Sequence, residues 1–127
     1  MHEQSKHFIS IHKDCCKVKC SNAQILHKPD QEWGRGCDLV LRHTREGKTT
    51  LILCEVKGGT LNPDDLDDVV NQLEYTEQVL RKKYSSVRTV KVFIHCGGGR
   101  VPSYVPQVLR RNSIFFAKSH EDIAELV

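Results

Sequence analysis

No apolar run in the 127-residue chain approaches the roughly 20 residues needed to cross a bilayer as a helix, which argues against a membrane protein. The opening MHEQSKHFIS also lacks the long apolar core of a secretory signal, so the expected location is cytoplasmic, in a reducing intracellular compartment. There is no internal repeat and no low-complexity segment. Strong charge of one sign is absent too: a net charge of +3 permits a polyanionic partner through local patches such as Arg81-Lys82-Lys83 and Arg110-Arg111, but does not by itself argue for one. Six cysteines in a reducing setting are expected to be thiols rather than a disulfide framework. Cys37, Cys54 and Cys96 fall in strand-like runs and read as small core residues. Cys15, Cys16 and Cys20 cluster near His7 and His12, yet adjacent cysteines are poor tetrahedral partners and no second paired-cysteine half follows, so zinc is not expected.

What is present fits one soluble globular domain over residues 1–127, with 39% hydrophobic and 28% charged residues. Short apolar alternations over Lys6 to Ile11 and Lys17 to Leu26 read as edge strands, with an N-terminal helix as the alternative. From Gly34 the pattern sharpens. GRGCDLVLRHT reads as a strand, REGK as a tight connection and TTLILCEVK as a second strand, together a β-hairpin. A helix follows: Asn62 is its N-cap, Pro63 its first residue, and Asp64 and Asp65 sit at the positive end of its dipole. Leu66, Val69, Leu73, Thr76 and Leu80 form its buried stripe, and Arg81, Lys82 and Lys83 suit its last turn. RTVKVFIHC is a strand, Val105 to Arg111 a short helix, SIFFA a strand and HEDIAELV a closing helix. This order predicts an α/β protein, a mixed central sheet with helices against its faces. Trp33, the only tryptophan, is expected to pack.

The hairpin carries the chemistry. LILCEVKGG is an apolar strand whose face of Leu51 and Leu53 ends in Glu55 and Lys57. With Arg45 opposite Lys48, the ladder runs back until Asp38 lies opposite Glu55, and directly opposed Cβ atoms are about 4.5 to 5.5 Å apart. Two carboxylates so placed need positive charge between them, from Lys57 or from a divalent cation. A hard cation such as Mg²⁺ takes one or two carboxylates and keeps several waters. It could polarise a phosphoryl oxygen, while Lys57 orients or deprotonates the water and stabilises developing charge. That is equipment for phosphodiester hydrolysis.

Asp38 at the head of one strand, Glu55-Val56-Lys57 at the end of the next, and a following helix bearing Gln72 together resemble the PD-(D/E)XK nuclease superfamily. Within that superfamily the chain is most similar in style to small archaeal Holliday-junction resolvases. The resemblance implies a restriction-endonuclease-like fold and a metal-dependent endonuclease acting on DNA. It implies that Asp38, Glu55 and the carbonyl of Val56 bind Mg²⁺, with Mn²⁺ expected to substitute, that Lys57 is the catalytic lysine and that Gln72 is an accessory catalytic residue. Lys48, Arg81, Lys82 and Lys83 would contact phosphates, and a homodimer would address two strands. The chain departs from the pattern in two respects. Cys37, not proline, precedes Asp38, the literal Pro29-Asp30 pair lying upstream. An acidic residue from an N-terminal helix has only Glu3, Asp14 and Glu32 as candidates. A nuclease-fold binding or scaffold domain without turnover is the alternative, and a zinc-stabilised adaptor built on the N-terminal cysteines is a weaker one.

Overall fold

The computed structural model describes residues 8–13 and 16–127. Strands β1 (Phe8–Lys13) and β2 (Cys16–Ser21) form an antiparallel pair of their own. β3 (Ala23–His27), β4 (Leu39–Arg45), β5 (Lys48–Gly58), β6 (Arg88–Cys96) and β7 (Ile114–Lys118) build a five-stranded sheet in that order. The chain is thus α/β with a mixed sheet: β3, β4 and β5 pair antiparallel, whereas β5, β6 and β7 run parallel. Parallel neighbours need crossovers, and α2 (Pro63–Lys83) and α3 (Val105–Arg111) supply them. A one-turn helix, α1 (Pro29–Trp33), fills the β3 to β4 connection, where the sequence pattern shows no helix.

Alternation of side chains divides the core into two clusters, one on each face of the sheet. On one face Val40, Leu51, Leu53 and Phe93 meet Leu66, Val69, Leu73 and Leu80 of α2 and Leu109 of α3. Leu66, Val69, Leu73, Thr76 and Leu80 are all buried, as the helical spacing predicts. On the other face Leu39, Leu41, Ile52, Cys54 and Ile94 meet Cys16, Val18 and Cys20 of β2 and Ile123 and Ala124 near the C-terminus. That second layer differs from the expectation of helices on both faces. A short hairpin covers it instead.

Two local features produce the difference. The run Lys17 to Leu26, read as one strand, breaks at Asn22, whose φ of 56° turns the chain from β2 into β3. Asparagine tolerates this left-handed conformation better than most residues. The expected closing helix over HEDIAELV is a single 3₁₀ turn, Ile123–Leu126. Asp122 accepts from Ala124 N and Ser21 N and also bonds the Ser21 hydroxyl, which ties the segment to β2 within the span expected to be helical.

Cys16 and Cys96 form a disulfide, with Cα atoms 5.3 Å apart, joining β2 to the end of β6 across 80 residues of sequence. This departs from the expectation of thiols throughout. Cys20, Cys37 and Cys54 are buried thiols. His7 and Cys15, two members of the N-terminal cluster, lie outside the described residues. No helix among the described residues is long and apolar enough to cross a membrane.

Candidate active site

The β4 to β5 turn sets the site. Glu46 and Gly47 have φ of 52° and 79°, the pairing of a two-residue hairpin turn, and they fix Arg45 opposite Lys48. The register runs unbroken from there to Leu39 opposite Cys54. Asp38 falls one residue beyond the last ladder pair. Its N–H donates to Cys54 O at 3.0 Å, and its Oδ2 accepts from Val56 N at 2.8 Å. The carboxylate therefore closes the head of the hairpin from β4, directly across from the Glu55-Val56 peptide.

Glu55 faces the helix side of the sheet, in register with Phe93 of β6, and is only 6% exposed. Its Oε1 is buried without a hydrogen-bond partner. Burial pushes its carboxyl up to about 9 and the negative charge of Asp38 adds to this, while Lys57 pulls the other way. A buried carboxyl beside another acid is costly to ionise unless a cation joins it. Lys57, two residues on, is part-exposed, and its Nζ pairs with Asp68 Oδ2 at 3.1 Å. Burial works to lower its pKa, but the hydrogen bond and charge of Asp68, with Glu55 and Asp65, outweigh this and raise it. Lys57 is thus an ammonium at neutral pH, suited to stabilising negative charge rather than to taking a proton.

Helix α2 supports this arrangement from the side. Gln72 Oε1 accepts from Gly36 N at 2.8 Å, and its Nε2 donates to Asp68 Oδ1 at 3.3 Å. One turn later Thr76 Oγ1 accepts from Cys37 N at 2.9 Å and donates to Gln72 O. Gly36, at φ 116°, has no room for a side chain, since a Cβ would fall within 3 Å of Pro29 and Thr76. The loop that delivers Asp38 is therefore clamped onto α2, and Gln72 acts as a positioning residue with both ends of its amide occupied.

Asp38, Glu55, Lys57 and Gln72 are brought to one corner of the sheet, together with Asp68, to which the sequence pattern gave no role in the site. Its signal was the i, i+4 spacing to Gln72 on the first turns of a helix that starts just after Lys57. The other candidates lie elsewhere. Lys48 is at the opposite end of β5, roughly 23 Å from Glu55 at about 3.3 Å per residue. Arg81, Lys82 and Lys83 are in the last turn of α2, about 20 Å beyond Asp68 at 1.5 Å per residue. Arg81 pairs there with Glu77. Glu32 of α1 accepts from Lys28 N at 2.8 Å and bonds His27 Nδ1 at 3.0 Å, and the Lys28 bond foremost holds its carboxyl below the usual range. Asp30 is an exposed residue of α1. Glu3 and Asp14 lie outside the described residues.

The donor set suits a hard divalent cation. Two carboxylates, one with a buried unpaired oxygen, flank the Val56 peptide, and Mg²⁺ needs no more than one or two protein carboxylates with waters completing its shell. Among the described residues no group of three or more His, Cys, Asp or Glu side chains gathers at metal-binding distance. The chain matches no protein-family model, no curated protein and no solved structure.

Proposed function

We propose that the protein is a metal-dependent endonuclease of the PD-(D/E)XK kind, hydrolysing DNA phosphodiester bonds at Asp38, Glu55 and Lys57. The observation that carries this reading is the buried Glu55 carboxyl beside Asp38, lacking a partner at Oε1 and raised to about 9. Ionised without a partner such a group is destabilising, and a cation in the corner would make its ionised form favourable. When bound there, Mg²⁺ or Mn²⁺ would polarise the phosphoryl oxygen and supply an acidified water. Asp38 and Glu55 would hold the ion, with the Val56 carbonyl as a further oxygen. The Lys57 ammonium, aimed by Asp68, would stabilise charge developing on the phosphate, while Gln72 keeps Asp68 and the Asp38 loop in place. Lys48 and the Arg81 to Lys83 turn stand too far off to touch the reacting phosphate, and would serve only a longer substrate or a second copy in a homodimer. An intracellular setting goes with DNA as the substrate.

Incubation with labelled linear, flapped and four-way DNA, with and without Mn²⁺, tests the reading. Cleavage that requires the metal is expected, and E55A or K57A should lower its rate by about 10²-fold or more while the fold persists. Unchanged cleavage in either variant would falsify the assignment. A second reading, a nuclease-fold scaffold without turnover, draws on the sparse donor set and on the Lys57 to Asp68 ion pair. It predicts DNA binding with no metal-dependent cleavage.

A further inference from the structure

Three basic side chains stand abreast at the C-terminal ends of the parallel strands, and hydrolysis as described uses only the first. Lys57 of β5 pairs in register with His95 of β6, and His95 with Lys118 of β7. Paired residues of a parallel ladder project to one face and adjacent strands lie about 4.8 Å apart, so the row spans roughly 10 Å across the sheet. One row inward, Glu55, Phe93 and Phe116 share that face, with the Phe93 and Phe116 rings stacked 5.7 Å apart.

Two clefts follow this row. One, of about 630 Å³, is lined by Lys57, Gly59 and Asp65 among others; the next, of about 550 Å³, by Phe116, Lys118 and His120; Cys96 and Gly97 border both. Their shared wall is fixed by backbone contacts. Gly59 N donates to Cys96 O at 3.1 Å, His95 Nε2 bonds Gly59 O at 2.6 Å, and a side chain at Gly99 would collide with the Gly59 to Thr60 peptide. His95 is 7% exposed and braces this wall, whereas Lys118 and His120 are exposed at its far end. Of the acids nearby, Glu121 accepts from Lys118 N and Asp65 from Asn62 N, while Asp68 pairs with the Lys57 ammonium.

We infer that these adjacent clefts form a groove for a single strand of nucleic acid, with phosphates on Lys118 and His120, a base against Phe116, and the strand continuing past the shared wall to Lys57. The inference rests on the phosphodiesterase reading of the Asp38, Glu55 and Lys57 corner. Cationic groups tracking a backbone beside an aromatic surface are what single-strand binding requires. A duplex keeps its base faces stacked and offers Phe116 nothing.

Fluorescence anisotropy in EDTA, with a labelled oligothymidylate about 15 nucleotides long, tests the groove apart from hydrolysis. The K118Q/H120N double variant is chosen because asparagine tolerates the 78° φ at His120. It should bind about 10-fold more weakly, with a salt slope reduced by about 0.7 for each phosphate that the protein no longer neutralises. R88Q, at the other end of β6, should bind like wild type, and duplex DNA should bind more weakly than the single strand. Unchanged affinity and slope in the double variant, an equal weakening in R88Q, or tighter duplex binding would overturn the groove. Absent cleavage with the expected anisotropy result removes only the hydrolytic reading; metal-dependent cleavage with unmoved anisotropy removes only the groove.

Discussion

Glu55 is where a buried sheet face turns polar, and its protonation has a measurable consequence. Its carboxyl is raised in the folded protein from 4.5 to about 9, chiefly by burial and then by Asp38. Without metal, the folded state holds a proton there that the unfolded chain releases. The stability tied to this group is thus fully present below about pH 4.5 and is lost as pH rises toward about 9. Urea denaturation in EDTA should show stability falling across that window, by at most about 1.4 kcal/mol per pH unit from this group, and E55Q should flatten the fall. A wild-type profile identical to that of E55Q would refute the burial argument. Asp38, Glu55 and Lys57 were legible in the sequence because alternation and a two-residue turn fix which residues meet. Asp68 was not, because its contact with Lys57 depends on how α2 lies across the strand end, and no local periodicity encodes that.

The β4 to β5 hairpin and α2 work as a unit, joined by Thr76 and Gln72. T76V removes the acceptor for the buried Cys37 N–H while keeping nearly the same shape, and should cost about 1 to 3 kcal/mol in chemical denaturation. T76S, which retains the hydroxyl, should cost much less. Equal losses would mean that the methyl group, not the hydrogen bond, holds the Asp38 loop. Both elements were readable from sequence: Asn62 as N-cap followed by Pro63 marks the start of α2, where the structure adds a reciprocal capping box with Asp65, and the apolar stripe sets the buried face. The N-terminal third was read less well. One positive-φ residue, Asn22, divides a run whose apolar alternation continues on both sides, and the five-residue α1 is too short to establish a period. The closing segment has helical composition, but Asp122 spends its cap on β2 as well as on the turn.

Across the whole molecule, the β1–β2 hairpin is held to the central sheet by buried apolar contacts, by Asp122 and by the Cys16–Cys96 disulfide. The Cys16 sulfur lies 3.9 Å from Lys57 O, so this cross-link braces the same strand end that carries the site. C16S/C96S should lower stability by about 2 to 5 kcal/mol, and a dithiol reductant should do the same to wild type and nothing to the variant. A reductant effect of equal size in both would show that the pair is not bonded in solution. The pairing was not legible because it joins residues 80 apart in the chain, on strands of different sheets, and composition gave no reason to choose Cys96 over Cys54.

The most direct test of the two-carboxylate corner is calorimetric titration of the metal-free protein with Mn²⁺, comparing wild type with D38N and E55Q. Saturable binding of the ion by wild type, abolished in both variants while their folds persist, is the predicted result. No binding by wild type, or undiminished binding by E55Q, would contradict it.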